Sequence, residues 1–362
     1  MRTAFLIIVL LHGLIHFIGF VKGFGISEVK ELTLPVSRPA GVLWMLAALL
    51  IISYGILQFA DWEYAWLTGF IAVVLSQTLI IIFRKDAIIG TLPNIIILSV
   101  LIVSFGNYSF QRMIQSETYA FLSQVRTSDE RIITENDIQE LPPPVKNWIR
   151  HSGAVGKPFI TSGRIIQQAE MKIKPGQKKW INATALQYTS IEPSGFIWTV
   201  DAGMNPLLHF NGRDKYIDGK AEMLIKLNSL FTVVNEHGEK LNEATLQRYL
   251  GEMVWLPSLA LSRHISWEQL ADTAAIALIS HKGTTAAGTF YFNPEGDFIR
   301  FSALRYMGND PDAQRLEWIL DVDEYNTFGG ISVPSKMRVT WKLPEGDWTW
   351  LKLEIKDIKY NV

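Results

Sequence analysis

Two histidines in the first hydrophobic segment have the spacing and chemistry of a ligand pair. His12 and His16 are four residues apart, so both imidazoles project from one face of a helix. Imidazole binds transition metals and exchanges protons near neutral pH. The pair supplies only two ligands, and no carboxylate lies inside the hydrophobic segments to complete a metal set. His12 and His16 are therefore weak metal candidates, and the sequence leaves any cofactor unknown.

Two further polar residues, Gln77 and Asn94, fall at the depth of His16. Each lies about six or seven residues from the predicted cytoplasmic end of its own segment, which places the layer about 10 Å inside a membrane. One interpretation is an intramembrane metal, redox or proton-handling site. The other is interhelical hydrogen bonding that fixes how four helices pack. The sequence favours the second interpretation and keeps the first as an alternative.

The segments that carry this layer predict a multi-pass membrane region over residues 1–110. Each holds about the 20 apolar residues that cross a bilayer. The first segment lacks a small-residue cleavage pattern and is followed by three more, so we expect it to be retained. The predicted spans are 3–23, 40–60, 64–83 and 88–108. The lipid bilayer is thus the first predicted partner.

The positions of the cations predict the orientation of these spans. Lysine and arginine near span ends favour the cytoplasm. The first and third gaps between spans carry cations, whereas the second gap, at 61–63, carries none. The cations are Lys22, Lys30, Arg38, Arg84 and Lys85. The sequence therefore predicts a cell-membrane protein whose soluble domain is extracytoplasmic.

The remainder of the chain predicts a helical connector at 111–140 and a β-rich domain at 141–362. A short amphipathic helix is expected at 145–151, and apolar and polar residues then alternate between turn residues, as in half-buried strands. Short connections favour antiparallel pairing and one large, strongly curved sheet, a half-barrel. The predicted strands are 169–174, 180–190, 195–201, 220–227, 274–281, 288–292, 298–306, 318–325, 337–343 and 348–360. The fold class is a multi-pass helical membrane region plus an α+β domain.

One helix interrupts the strands, at 242–254. Asn242 is a good N-cap residue, and Leu246, Tyr249 and Leu250 begin an apolar stripe. A helix inserted between strands of a curved sheet tends to cover its concave face, which predicts an apolar pocket beneath a lid. The dense aromatic residues are equally consistent with core packing. The candidate pocket and lid residues are Trp198, Arg248, Tyr249, Glu252, Met253 and Trp255.

Composition and motifs exclude several functions. The net charge of −1, without a basic stripe, argues against binding nucleic acid. The absence of cysteine excludes disulfides, thiolate metal sites and cysteine nucleophiles. The chain contains no Gly-x-Ser-x-Gly elbow, His-Glu-x-x-His motif, phosphate-binding glycine loop or dinucleotide fingerprint. No catalytic residue is assigned, and the sequence favours a protein that is not an enzyme.

Several segments resemble a bacterial membrane-associated family known only as a domain of unknown function. They are 141–145, 193–198, 216–221 and, most specifically, Arg248-Tyr249-Leu250-Gly251-Glu252-Met253-Val254-Trp255-Leu256-Pro257. The segment 12–20 resembles the membrane helix that some members carry. That family implies no activity. More distantly, the strand order and Gly330-Ile331-Ser332-Val333-Pro334 resemble lipoprotein-carrier half-barrels of the LolA/LolB type, which hold acyl chains beneath helices.

Three functional hypotheses follow. The leading one is a membrane-anchored extracytoplasmic module that binds a lipid or other apolar ligand. The first alternative is an intramembrane metal or redox protein that uses His12 and His16. The second alternative is a structural or interaction protein without a ligand. Neither the ligand nor protein partners can be named from the sequence.

Overall fold

The computed structural model describes residues 2–125 and 131–362. The chain divides into two compact units, Met1–Arg112 and Met113–Val362. The first unit is helical throughout its regular elements, and the second is built around one sheet.

The first unit consists of helices because its sequence is continuously apolar. The helices are α1 (Arg2–Phe24), α2 (Arg38–Phe59), α3 (Ala65–Ile82), the short α4 (Arg84–Ala87), a 3-10 turn (Ile88–Gly90) and α5 (Thr91–Leu122). Within the described residues, four helical segments are long and apolar enough to span a membrane. A Cβ at Gly19 would lie 2.2 Å from the Trp44 ring, so α1 and α2 pack as closely as glycine permits.

The second unit contains thirteen described strands in a single antiparallel sheet. They are β1 (Ser162–Met171), β2 (Ile181–Ser190), β3 (Gly195–Asn205), β4 (Leu208–Ile217), β5 (Lys220–Leu227), β6 (Phe231–His237), β7 (Ile265–Ala271), β8 (Ala274–His281), β9 (Thr284–Phe292), β10 (Phe298–Tyr306), β11 (Arg315–Phe328), β12 (Ile331–Leu343) and β13 (Gly346–Tyr360). Their order is β6-β5-β4-β3-β2-β1-β13-β12-β11-β10-β9-β8-β7. A short helix, α6 (Pro143–His151), precedes them.

The sheet curls into the half-barrel that the sequence predicted. Its two sides approach each other at the β4–β5 and β8–β9 turns, where Lys282 Nζ lies 2.9 Å from Asp218 Oδ1. The hydroxyl of Tyr216 and Nδ1 of His281 are 3.1 Å apart next to this ion pair. The apolar residues of alternate positions face inward and form one large core.

Strand order explains why a helix crosses the concave face. Strands β1 to β6 fill one side of the sheet, and the chain must then reach β7 at the opposite edge. That connection is α7 (Glu239–Gly251) followed by 3-10 turns at Glu252–Trp255 and Pro257–Leu261. Because it runs between the two edges, it lies over the core.

Several predicted elements differ in detail. The predicted connector at 111–140 is helical only as far as Leu122, and residues 131–141 form turns and an isolated bridge. Residues 126–130 of the predicted connector lie outside the described residues. Helix α7 begins at Glu239, and Asn242 does not cap it; its Oδ1 accepts a hydrogen bond from the Ala221 amide. Strands β4, β6 and β7 were not predicted. In β4 the buried positions include Asn211 and Arg213, so apolar alternation is lost.

Candidate functional site

The structure brings the predicted polar layer of the first unit together. His12 Nε2 lies 2.9 Å from Asn94 Oδ1, and Asn94 Nδ2 donates to Gln77 Oε1 at 3.0 Å. His16 Nε2 lies 2.8 Å from the hydroxyl of Ser76, a residue that the sequence analysis did not select. Ser76 also accepts a hydrogen bond from Asn94 Nδ2 at 2.9 Å. Ser76 was missed because serine is common in apolar helices and its depth alone does not distinguish it.

Hydrogen bonds satisfy the polar groups of this layer and join three helices. His12 and His16 on α1, Ser76 and Gln77 on α3, and Asn94 on α5 form a single network. Within the described part of the chain, no three histidine, cysteine or acidic side chains are grouped closely enough to hold a metal. Hydrogen bonds of this kind between helices contribute to their packing.

In the second unit, three of the predicted pocket residues are part of the core. Tyr249, Met253 and Trp255 are each no more than 2 % exposed. The Tyr249 hydroxyl donates to the Ser190 carbonyl at 2.7 Å, and Trp255 Nε1 donates to the Pro334 carbonyl at 3.1 Å. These contacts fix α7 and the following turn to the sheet, so these side chains are enclosed by protein.

The other predicted residues meet in a charged cluster beneath α7. Arg248 Nε donates to Glu252 Oε1 at 2.7 Å, and Arg248 Nη1 donates to Asp214 Oδ2 on β4 at 3.0 Å. Gln187 on β2 donates to Glu252 Oε2 at 2.8 Å. The Arg248 guanidinium lies 4.7 Å from the centre of the Trp198 ring, a cation–π contact. We call Gln187, Asp214, Arg248 and Glu252 the Arg248 cluster.

A second arginine, Arg305, enters this interior from β10. Its Nε donates to the Ala244 carbonyl at 2.9 Å, and its guanidinium lies 4.7 Å from the Trp318 ring and 5.6 Å from the Trp341 ring. Arg305 takes part in none of the ion pairs found among the described residues. The Arg305 side chain is partly exposed, and the charges of Asp214 and Glu252 act on it, although neither carboxylate forms a direct ion pair with it. Charged groups that are perturbed by their surroundings in this way are common at functional sites.

Burial sets the ionisation of these groups. Burial raises the pKa of Asp214, although Arg248 and Arg305 act in the opposite direction. Burial alone would lower the pKa of Arg248, but the neighbouring Glu252 and Asp214 carboxylates leave it raised. Burial and the charge of Arg248 lower the pKa of Arg305 to about 10. Arg305 therefore keeps its positive charge at neutral pH.

Sequence reasoning missed Gln187, Asp214 and Arg305. Each occupies an inward-facing strand position where an apolar residue is usual; Arg305 follows Phe301 and Ala303 on the same face of β10. A polar or charged residue in such a position was the signal in the sequence. It is weak, because strand register and curvature decide which face is inward.

A floor of small residues adjoins the cluster. Ala169 pairs with Ala183, and Ala183 pairs with Ala202, across three neighbouring strands. Ala185 is the next inward-facing residue of β2 after Ala183. These four alanines, the alanine floor, are 6 to 7 % exposed, and the core-facing residues of α7 range from 0 % for Leu246 to 7 % for Leu241.

Tryptophans line the other side of this region. Trp318, Trp341 and Trp348 pair across β11, β12 and β13. The indole N–H groups of Trp318 and Trp348, and that of Trp350, are buried without a hydrogen-bond partner in the described chain. Donors of this kind could bind an acceptor on a ligand.

A groove of about 780 Å³ is lined mainly by outward-facing residues of the sheet, and Ala169 and Ala183 also contribute to its lining. It is lined by both acids and bases, including Glu170, Lys336 and Lys352, and by His209, whose Nδ1 lies 2.8 Å from Asp201 Oδ1. Most of the residues that line this groove are charged or polar, unlike the lining of the apolar pocket that the sequence predicted.

The chain belongs to a family of unknown function, DUF6544, whose model matches residues 131–353. The matched region is the half-barrel, in agreement with the resemblance found in the sequence. No curated protein gives a significant match to the chain.

Two solved structures are similar to the chain. One is a LolA superfamily protein from Nitrosomonas europaea, with a TM-score of 0.34 and 8% identity, covering 59% of this chain and 92% of that one. The other is a β-barrel-like protein of the domain of unknown function DUF1849 from Brucella abortus, with a TM-score of 0.20 and 8% identity, covering 56% and 98%.

Proposed function

We propose that this protein is a membrane-anchored module that binds an amphiphile with an acidic head group. The apolar chain of the ligand lies along the alanine floor, and the head group pairs with Arg305. The four apolar helical segments anchor the module in the membrane, with the half-barrel on the extracytoplasmic side, as the cation pattern of the loops predicts.

The observation that carries the proposal is a cation among aromatic rings that has no direct ion-pair partner among the described residues. Within the described part of the chain, Arg305 donates a hydrogen bond to the Ala244 carbonyl, and its guanidinium lies over Trp318 and Trp341. A carboxylate or phosphate would supply a direct counter-charge through the two Nη groups, which suit bidentate pairing. An anion is preferred over a neutral lipid because it can form this charge-assisted pair with the guanidinium.

The alanine floor explains where an acyl chain would lie. Ala169, Ala183, Ala185 and Ala202 are short side chains on three adjacent strands. An acyl chain placed over them would cover apolar area, which contributes about 25 cal/mol per Å². This part of the concave face replaces the predicted pocket beneath α7, which is filled by α7 itself.

The test is mass spectrometry of amphiphiles that remain with the full-length protein after mild detergent extraction. We expect a stoichiometric acidic amphiphile in the wild type and its loss in Ala185→Phe, which fills the floor. The matched control is Thr184→Phe, because Thr184 is the preceding residue and faces the opposite, exposed side. Retention of the same amphiphile by Ala185→Phe would contradict the proposed site.

Two arginine variants with the same change in charge test whether Arg305 binds the head group. Arg305→Gln removes the cation and should release acidic amphiphiles, whereas Arg300→Gln changes an exposed arginine of the same strand that pairs with Asp321. Equal loss in both variants would show that the effect is not specific to the interior. A wild-type protein that retains only bulk membrane lipid, in the same proportions as Arg305→Gln, would overturn the proposal.

A further inference from the structure

Exposed apolar side chains concentrate at one end of the first six strands. The β1–β2, β3–β4 and β5–β6 turns lie at the same end because these strands are consecutive and antiparallel. Phe231 is 70 % exposed and Leu207 is 67 % exposed, and four more large apolar side chains at this end are also exposed. These four are Ile173, Met204, Leu208 and Val233. We call residues 172–180, 204–208 and 228–233 the tip.

The tip is also basic. Residues 172–179 contain Lys172, Lys174, Lys178 and Lys179 and no acid, and the other two turns carry no charge. Lys174, Lys178 and Lys179 are exposed and form no ion pair with any described carboxylate. The neighbouring β12–β13 turn adds two acids, Glu345 and Asp347, and Asp347 is paired with Lys342 at 2.6 Å. Cations therefore outnumber acids at this end.

Trp180 strengthens the basic character of the tip. The Nζ atoms of Lys172 and Lys352 lie 4.4 and 4.7 Å from the centre of its ring. Aromatic rings with flanking lysines are typical of the interface between hydrocarbon and lipid head groups, where the ring and the lysine stems are apolar and the ammonium groups stay in water. The three turns thus combine apolar anchors with cations at the same end of the sheet.

We propose that the tip docks on a lipid surface that contains anionic phospholipid. Apolar side chains on turns enter the interface between head groups and acyl chains, and the lysines bind the anionic head groups. This inference does not depend on ligand binding at Arg305, because the tip residues and the interior residues are different. It adds an interaction surface to the proposed module.

The absence of cysteine allows a direct test in the full-length protein. Leu207→Cys is labelled with the fluorophore NBD, and the protein is reconstituted into vesicles of phosphatidylcholine with or without phosphatidylglycerol. We expect quenching by lipid-attached doxyl groups in the vesicles that contain phosphatidylglycerol. The quenching should fall by more than about twofold in high salt and in the triple variant Lys174→Gln, Lys178→Gln, Lys179→Gln.

The matched controls are Leu270→Cys on β7 and Ile299→Cys on β10, which are exposed apolar positions away from the tip. Doxyl quenching confined to position 207 would support the proposal. Absence of quenching there, or equal quenching at all three positions, would overturn it. A blue shift at 207 without doxyl quenching would indicate a protein partner or a second copy instead, and would also overturn it.

Discussion

The Nη1 group of Arg248 on α7 lies 3.0 Å from Oδ2 of Asp214 on β4, and this contact joins the crossing helix to a wall of the half-barrel. The same guanidinium contacts Glu252 at 2.7 Å, so two carboxylates share one arginine beneath the helix. Both acids are mostly buried, and the ion pairs therefore depend on the helix staying in place. The position of α7 therefore depends on the charges of Arg248, Asp214 and Glu252.

Removing this cation should destabilise the half-barrel. Arg248→Met leaves Asp214 and Glu252 buried without their shared partner, and we expect the free energy of unfolding to fall by about 3–5 kcal/mol. Urea unfolding of the full-length protein, followed by tryptophan fluorescence, measures this change. Arg315→Met is the control, because the Arg315–Glu243 pair is partly exposed and its loss should cost at most about 1 kcal/mol. Equal losses in the two variants would contradict the prediction.

Asp214 should make stability fall as pH rises. Its folded-state pKa is raised by burial, so between the ordinary value of 3.8 and the raised value the folded protein binds more protons than the unfolded chain. The contribution of Asp214 to the free energy of unfolding is therefore present below pH 3.8 and is lost as pH rises through the raised pKa. We expect Asp214→Asn to gain stability relative to the wild type as pH rises through the window, measured by urea unfolding at several pH values.

Asp137 provides a control of opposite sign for that experiment. Hydrogen bonds from Thr134 and then the charge of Arg131 lower its pKa below 3.8. Its stabilising contribution is therefore present above pH 3.8 and is lost as pH falls. Above pH 3.8 we expect Asp137→Asn to have a lower free energy of unfolding than the wild type, and we expect this difference to disappear at low pH. The same pH trend in both variants would show that Asp214 is not the group responsible.

A close backbone contact should make Gly195 intolerant of a side chain. A Cβ at this position would lie 2.3 Å from the Tyr216 carbonyl oxygen, which cannot move without breaking the β3–β4 pairing. We expect Gly195→Ala to lower the free energy of unfolding by about 1–3 kcal/mol. Gly163→Ala is the matched control in the same sheet, because its nearest neighbour would be 3.4 Å away. A neutral Gly195→Ala would disprove the predicted clash.

The polar layer of the first unit should stabilise helix packing. Asn94→Leu removes contacts to His12, Ser76 and Gln77, and we expect a loss of about 0.6–2 kcal/mol in a bilayer or mild detergent. Ser99→Ala is the control, because the exposed Ser99 bonds only to its own helix, at the Ile95 carbonyl. Stoichiometric metal in the purified protein, lost in His16→Leu, would instead favour the metal or redox alternative.

Single cysteines can test the predicted orientation. Lys178→Cys and Glu63→Cys should react with a membrane-impermeant maleimide in intact cells, because the half-barrel and the second gap are predicted to be extracytoplasmic. Lys30→Cys, in the first gap, should react only after lysis. The reverse pattern would invert the topology and place the half-barrel in the cytoplasm.

Much of the architecture was predictable because its signals are local. Long apolar runs predict the four candidate spans, and the spacing of His12 and His16 together with the depth of Asn94 predicts one polar layer. Strands with regular alternation were found, and the helix stripe with Tyr249 correctly predicted a helix over the concave face. Strand β4 was missed because Arg213 and Asn211 occupy its buried positions.

The interior site depended on the tertiary structure. Asp214 and Arg305 lie on strands that are far apart in the sequence, and they share one interior only because the sheet curls and α7 crosses between its edges. The alanine floor likewise requires the register that pairs Ala169 with Ala183 and Ala202. The sequence alone determined the number and type of elements, since hydrophobic periodicity is local. The tertiary structure decided which charges are buried together, because register and curvature arise from contacts between distant strands.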